Sequence, residues 1–241
     1  MSVEVRDERF RNVIGDSIAM ETLASDFLFT EGPIWHPGGK HLTFSDMPGD
    51  HMRRWYPDGR IETFRKPCNK ANGNAYDRDG LIVTCEHSTS RVTRTLADGS
   101  IEILATHYDG KELNSPNDII VHSSGRIFFT DPTYGRMEYY GVPRETELDY
   151  QGAYSMNGDG SDLQTIATDF EQPNGLCFSI DETKLYVNDT VKKHIRRFDV
   201  DNAGNVVGGG EIWASPTGEG AGHPDGMKSD IQDNVYCTGP G

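Results

Sequence analysis

The 241-residue chain carries 23 Lys and Arg against 38 Asp and Glu, which gives a formal net charge of −15. Nucleic acids and anionic membrane surfaces are bound mainly through Lys and Arg, so this charge argues against either as a partner. No apolar stretch approaches the roughly 20 residues that span a bilayer, and the N-terminal MSVEVRDERFRN lacks the apolar core of a secretory signal, which predicts a cytoplasmic protein.

One pattern recurs five times along the chain. Each copy begins with an acidic or amide residue followed by Gly or Asp, and continues as two short apolar strands joined by a turn. The copies begin 41, 45, 57 and 51 residues apart, at Glu31, Asn72, Asn117, Asn174 and Asp225. Self-similarity at such a spacing indicates a repeat architecture, with one supersecondary unit in each repeat.

A second hairpin separates successive copies, with a turn rich in Asp, Asn and Gly between its two strands. These outer hairpins are RRWYPDGRIETF, SRVTRTLADGSIEILA, GAYSMNGDGSDLQTIA and RRFDVDNAGNVVGGGEIWA. Two hairpins per repeat make a four-stranded antiparallel blade, and blades arranged around an axis make an all-β propeller. A β-sandwich is the competing fold, but it gives no reason for an acid or amide to recur at blade-length intervals.

Two features break the repeat. The polar segment 134–151, rich in Tyr and Glu, lengthens the third interval, and we expect it to form a loop over one face, either as an active-site lid or as a solvated insertion. The fifth repeat stops after its first hairpin. We therefore expect residues 1–241 to form a single propeller domain that is truncated in its fifth blade and belongs to a longer protein.

The first residue of each repeat suggests the chemistry. The innermost strand of every blade runs along the central channel, so equivalent residues at its start converge at one mouth. Two carboxylates and up to three amide oxygens at that mouth would suit a hard cation such as Ca²⁺. Asn and Asp before Gly are also common in tight turns, and turn formation is the alternative explanation for these residues. Glu31 is a poor turn residue, and its presence in the same register favours ligation.

Four of these motifs resemble those of a known family. FTEGPIW around Glu31, NSPND around Asn117, QPNGL around Asn174 and HPDGM around Asp225 resemble the senescence marker protein 30, gluconolactonase and luciferin-regenerating enzyme family, and most closely its bacterial gluconolactonase branch. The resemblance implies a six-bladed propeller that holds one divalent cation through Glu31, Asn174 and Asp225, with Asn117 as a further ligand or near neighbour. It also implies hydrolysis of sugar lactones, supported by Ca²⁺, Zn²⁺, Mg²⁺ or Mn²⁺ in different members.

Catalysis would then require a general base beside the cation. Asp225 is the first candidate, because a carboxylate there can take a proton from the attacking water and return it to the departing ring oxygen. Asp118, adjacent to Asn117, is the second candidate, although a carboxylate at the start of a strand can equally bind backbone amides.

Residues that follow the second strand of a repeat could face the channel mouth and bind sugar hydroxyls together with Asn117. In the second repeat these are Glu86 and His87, and in the third they are Asp131 and Tyr134. His223, close to Asp225, could also reach the mouth.

Two other functions remain open at this point: an organophosphate or other ester hydrolase on the same propeller and metal, and a non-catalytic propeller that binds protein partners. A serine hydrolase is disfavoured, since the chain contains no GxSxG motif.

Overall fold

A computed structural model describes residues 5, 7–15, 21–216, 218 and 220–239. A 3₁₀ turn at Glu8–Phe10 and a short helix α1 at Arg11–Ile14 precede a body made almost entirely of β-strands. One further 3₁₀ turn, Tyr134–Arg136, lies in the 134–151 insertion. Among the described residues, no helix has the length and apolar character needed to cross a bilayer.

Sixteen of the strands form four antiparallel sheets, each with its strands in chain order. The first sheet contains β1 (Thr30–His36), β2 (His41–Asp46), β3 (His51–Trp55) and β4 (Ile61–Arg65). The second contains β5 (Ala71–Tyr76), β6 (Ile82–Glu86), β7 (Arg91–Thr95) and β8 (Ile101–Ala105). A small separate ribbon pairs β9 (His107–Tyr108) with β10 (Lys111–Glu112).

The third sheet contains β11 (Ile119–Val121), β12 (Ile127–Asp131), β13 (Gln151–Met156) and β14 (Gln164–Phe170). The fourth contains β15 (Pro173–Phe178), β16 (Lys184–Asp189), β17 (His194–Val200) and β18 (Val206–Ala214). A final two-stranded sheet pairs β19 (Met227–Ser229) with β20 (Val235–Cys237).

These sheets are the blades that the repeat predicts. Each inner hairpin supplies the first two strands of a blade, and each outer hairpin supplies the last two. The innermost strands β1, β5, β11, β15 and β19 contact one another in chain order. The all-β propeller is therefore confirmed. The predicted number of six blades is not confirmed, because the described residues form four complete blades and the first hairpin of a fifth.

The apolar cores lie between neighbouring blades. Successive side chains of a strand point to opposite faces, so a strand between two other blades needs apolar residues on both sides. Phe129 of β12 packs in a cluster with Val83 of the second blade, while the adjacent Phe128 packs with Leu185 of the fourth. Both phenylalanines are fully buried. This arrangement explains why three successive residues of β12, Ile127 to Phe129, are apolar.

Glycine follows the first residue of several repeats because the next blade passes very close at that point. A Cβ placed on Gly32 would overlap the carbonyl oxygen of Asn72, and one placed on Gly175 would overlap that of Asp225. The repeated dipeptide of an acid or amide with Gly therefore reflects backbone contact between blades as well as turn formation.

Candidate functional site: a polar cavity at one end of the propeller axis

The inner strands begin around a single cavity of about 240 Å³. Twelve residues line it: Phe29, Glu31, Met47, Asn72, His87, Asn117, Tyr134, Tyr140, Asn174, Thr190, His223 and Asp225. The first residues of all five repeats are among them. The structure thus brings together side chains that lie as far apart in the chain as Glu31 and Asp225.

Hydrogen bonds from the preceding blade hold the backbone of these residues in place. The hydroxyl of Ser45 donates to the carbonyl of Asn72 at 3.0 Å, and the hydroxyl of Thr130 donates to the carbonyl of Asn174 at 2.7 Å. In the next blade, the side-chain amide of Asn188 donates to the carbonyl of Asp225 at 2.5 Å. Each of these donors is the second-last residue of its strand, so one blade positions the site residue of the next.

The two carboxylates of the cavity repel each other and are partly removed from water. Burial, followed by the charges of Asp225 and Asp118, raises the pKa of Glu31 to about 8. Burial, followed by the charge of Asp118, also raises the pKa of Asp225. Both shifts mean that negative charge is costly in this cavity without a counter-charge.

The amide nitrogens around the cavity have partners within the protein. The Nδ2 of Asn174 donates to the Thr190 hydroxyl at 3.1 Å, and that hydroxyl donates to the Pro224 carbonyl at 2.7 Å. The Nδ2 groups of Asn72 and Asn117 lie against His87. With their nitrogen atoms engaged in this way, the three amides keep their oxygen atoms for other partners.

This set of donors fits a hard divalent cation. Two carboxylates and several amide oxygens are the ligand types that Ca²⁺ prefers, and a cation would offset the repulsion between Glu31 and Asp225. Within the described ranges, no group of three or more His, Cys, Asp and Glu side chains forms a metal site. Of the predicted ligands in the cavity, only Glu31 and Asp225 are acidic, and the others are amide side chains.

Two residues expected to bind substrate lie outside the cavity. Glu86 and Asp131 are fully buried, and their counterparts Asp46 and Asp189, at the same place in the first and fourth blades, are buried as well. These four side chains, which end the second strand of each blade, are called here the strand-end carboxylates.

The strand-end carboxylates bind the chain that leads into the innermost strand of their own blade. Asp46 accepts backbone N–H groups from Leu28 at 2.9 Å and Phe29 at 3.3 Å. Asp189 accepts those of Glu171 at 2.7 Å and Gln172 at 3.2 Å.

Glu86 is buried like the other strand-end carboxylates but has different partners. It forms ion pairs with Arg65 and with Arg91, the latter at 2.6 Å. It also accepts a hydrogen bond from the Thr93 hydroxyl at 3.0 Å. Its charged partners lower its pKa in spite of burial. The oxygens of Glu86 and Asp131 are used within the protein, which explains why neither side chain reaches the channel mouth.

Asp118 also lies beside the cavity rather than in its wall. One of its carboxylate oxygens accepts the N–H of Ile119 at 2.9 Å, and the other accepts the N–H of Leu176 on the next inner strand at 3.3 Å. It therefore joins two blades. Its charge still acts on the cavity, since it contributes to the raised pKa values of Glu31 and Asp225.

Four lining residues were not identified from the sequence: Phe29, Met47, Tyr140 and Thr190. Met47 and Thr190 directly follow strand-end carboxylates, as His87 does. That shared register is a signal in the repeat and could have identified them. Tyr140 comes from the 134–151 insertion, where no repeat applies.

The insertion covers the cavity and contributes to its wall. Tyr134 and Tyr140 both line the cavity, and the ring of Tyr140 meets that of Phe29 edge to face at 5.6 Å. Burial raises the pKa of Tyr134. Lys70 holds the segment in place, because its Nζ donates to the carbonyls of Glu138 and Gly141 at 2.8 and 3.0 Å.

An all-β propeller with carboxylate and amide oxygens gathered at one end of its axis is the class of protein that this fold and cavity define. Comparison with known proteins supports this classification. Residues 29–241 match the family model of the SMP-30/gluconolactonase/LRE-like region. This chain therefore belongs to the SMP-30/gluconolactonase/LRE-like family.

The similar proteins include curated enzymes and solved structures. The chain is 32% identical to a gluconolactonase of Zymomonas mobilis, over 97% of this chain and 70% of that protein. It is 25% identical to a pentonolactonase of Haloferax volcanii, over 86% of this chain and 65% of that protein. A solved gluconolactonase from Xanthomonas campestris superposes with a TM-score of 0.82 at 36% identity, over 90% of this chain and 71% of that one.

Proposed function

We propose that this protein is a divalent-cation-dependent hydrolase that opens sugar lactones. The observation that carries the proposal is the convergence of Glu31 and Asp225 with the amides of Asn117 and Asn174 on one cavity. Gluconolactonase and pentonolactonase relatives support the substrate class. No feature of the cavity favours a phosphate ester over a lactone.

The cation would be held by Glu31, Asn174 and Asp225, with Asn117 as a fourth ligand or near neighbour. Calcium is the first choice because all of these donors are oxygen atoms, and Mg²⁺, Mn²⁺ or Zn²⁺ are the alternatives. When bound, the cation would polarise the lactone carbonyl and stabilise negative charge on its oxygen. A solved regucalcin from Agrobacterium tumefaciens, described as a calcium-binding protein, shares the fold at 20% identity and a TM-score of 0.72.

Asp225 is the proposed general base. Its carboxylate lines the cavity, beside the proposed cation, where it can accept a proton from water. It would take a proton from the attacking water as the new carbon–oxygen bond forms, and return that proton to the ring oxygen as the ring bond breaks. Asp118 is a weaker second candidate, because backbone N–H groups occupy both of its oxygens.

Substrate contacts would come from the cavity wall. Tyr134 and His223 offer polar groups to a lactone hydroxyl, and Asn117 offers an amide. Glu86 and Asp131 would support this wall from behind, without touching substrate.

The complete ring is proposed to have six blades within a single domain. The family resemblance implies this number, and Gly226 supports the presence of a further neighbouring blade. Glycines at the same place in other blades face the carbonyl of the next blade, whereas a Cβ on Gly226 would meet no atom of the described chain within 4 Å. A neighbouring blade would fill that space.

A lactone panel with and without chelator tests the function. Release of acid from gluconolactone, gulonolactone and pentonolactones would be followed at constant pH, with Asp225→Ala as the control for spontaneous hydrolysis. We expect chelation to abolish enzymatic turnover and added Ca²⁺ to restore it. Turnover that never exceeds the control with any of the four cations would contradict the proposal.

A further inference from the structure

His87 lies where the 134–151 insertion meets two amides of the cavity. Its Nδ1 is 3.2 Å from the carbonyl oxygen of Tyr140. Its Nε2 is 3.2 Å from the Nδ2 of Asn72 and 3.5 Å from the Nδ2 of Asn117. The side chain is fully buried. Both ring nitrogens therefore have partners within the protein.

The chemistry of these partners determines the tautomer. A carbonyl oxygen can only accept a hydrogen bond, so the Nδ1 that faces Tyr140 must carry a hydrogen. In a neutral imidazole the other nitrogen then has a lone pair and accepts. The amide nitrogens of Asn72 and Asn117 are donors and satisfy it.

This orientation leaves the amide oxygens free. If the NH₂ groups of Asn72 and Asn117 face His87, their Oδ1 atoms must point away from it. Neither Oδ1 accepts a hydrogen bond within the described residues, and neither is one of the fully buried side-chain atoms that lack a partner. Since both residues line the cavity, their oxygen atoms are open to it.

We propose that His87 is a positioning residue that turns the amides of Asn72 and Asn117 so that their oxygen atoms, rather than their NH₂ groups, face the cavity. The Tyr140 carbonyl sets this arrangement by holding His87 in its Nδ1–H form. The ligand of these oxygen atoms rests on the proposed function, in which they would bind a cation or a substrate hydroxyl. The hydrogen-bond arrangement itself does not depend on that function.

The insertion supplies the anchor for this arrangement. Lys70 donates to carbonyls on both sides of Tyr140, at Tyr139 and Gly141, at 3.2 and 3.0 Å. The N–H of Gly141 also donates to the Met137 carbonyl at 2.7 Å. The Tyr140 carbonyl is thus held against His87 by the fold of the insertion, which acts on the two amides through this carbonyl.

The tautomer can be observed directly, without any ion or substrate. Long-range ¹H–¹⁵N NMR spectra of the protein labelled at histidine nitrogens distinguish the Nδ1–H and Nε2–H forms, and loss of one signal in His87→Gln assigns it. We expect a single Nδ1–H form for His87 at neutral pH, and a mixture of tautomers in Lys70→Met, which loses the hydrogen bonds to the carbonyls on both sides of Tyr140. An Nε2–H form or an imidazolium in the wild-type protein would overturn the proposal.

Isothermal titration calorimetry with Ca²⁺ measures how the orientation of the two amides affects cation affinity. We expect His87→Phe, which has no acceptor, to bind Ca²⁺ about tenfold more weakly than wild type, and His87→Gln, whose amide oxygen can replace Nε2, to remain close to wild type. His122→Phe is the matched control, because His122 is also buried but bonds Ser124 outside the cavity.

Equal losses in the Phe and Gln variants of His87 would indicate a packing role and overturn the proposal, as would unchanged affinity in His87→Phe. A wild-type protein that bound no calcium would contradict the proposed function instead, and the NMR result would still decide the role of His87.

Discussion

The carboxylate of Asp131 accepts the backbone N–H of Asn114 at 2.8 Å and that of Ser115 at 2.7 Å. These two residues lead directly to Asn117 on the cavity wall. Burial raises the pKa of Asp131 to about 7, although the two hydrogen bonds oppose the shift. Asp131 does not line the cavity, yet it positions the segment that carries the cavity residue Asn117.

We expect Asp131→Asn to destabilise the protein. The new amide has one oxygen to accept a hydrogen bond and turns its NH₂ towards the second N–H, which leaves a buried donor without a partner. The free energy of unfolding, measured by denaturant titration, should fall by about 1–3 kcal/mol. The exposed Asp149→Asn is the control. Unchanged stability combined with a raised KM for lactone would instead place Asp131 among the substrate-binding residues.

Gly175→Ala should disturb the cavity without altering any of its side chains. The added methyl group would overlap the carbonyl of Asp225, so either that residue or β15 must shift. We expect a loss of about 1–3 kcal/mol in unfolding free energy, as is typical of overpacking, together with weaker cation binding measured by calorimetry.

Gly226→Ala is the matched control, since it makes the same change at the equivalent place of the next repeat, where the described chain leaves open space. Its stability should match that of the 241-residue wild type. In a chain extended to complete the ring, the same substitution should become destabilising. Equal effects of the two substitutions in the 241-residue chain would contradict the proposed packing.

Cation affinity should rise with pH. The pKa of Glu31 is about 8 without an ion, so at neutral pH its carboxyl group holds a proton that a cation must displace. If Glu31 alone were responsible, the dissociation constant for Ca²⁺ would fall about tenfold per pH unit below that value and level off above it. Calorimetry between pH 6 and 9, in buffers of different ionisation enthalpy, measures both the affinity and the released proton.

Glu31→Gln provides the comparison for this pH series. It should bind the cation more weakly, but with a smaller dependence on pH. An affinity of the wild-type protein that is flat across the series would show that Glu31 is already ionised or does not ligate.

Asp225→Asn should abolish lactone hydrolysis while losing only part of the cation affinity. An amide keeps an oxygen ligand but cannot accept the proton of the attacking water. Asn117→Ala should have a milder effect on turnover. The two variants are compared by acid release at saturating Ca²⁺ and by calorimetry. Turnover near wild type in Asp225→Asn would move the role of the base to Asp118 or to solvent.

Much of the fold followed from the repeat in the sequence. An acid or amide before Gly at blade-length spacing, with alternating hairpins between, predicts a propeller because only radial repetition brings equivalent positions together. The same register predicted that Glu31, Asn117, Asn174 and Asp225 share one mouth, and the structure places all four in one cavity. The ligation of an ion by these residues remains a prediction.

The roles of neighbouring polar residues depended on contacts that a linear pattern does not contain. Glu86 and His87 are adjacent in the chain, yet alternation along the backbone turns Glu86 towards Arg65 and Arg91 and leaves His87 at the cavity. Asp131, which we expected to bind sugar hydroxyls, instead accepts the backbone N–H of Ser115.

The sequence by itself therefore determined the blade architecture and the ring of oxygen donors, because both arise from one unit repeated with the same period. Only the tertiary structure decided how the 134–151 insertion, which has no counterpart in the other repeats, folds back to the axis. Its Tyr140 carbonyl meets a histidine 53 residues earlier in the chain. Contacts of that range depend on how side chains and backbone pack between blades, and no local preference specifies them.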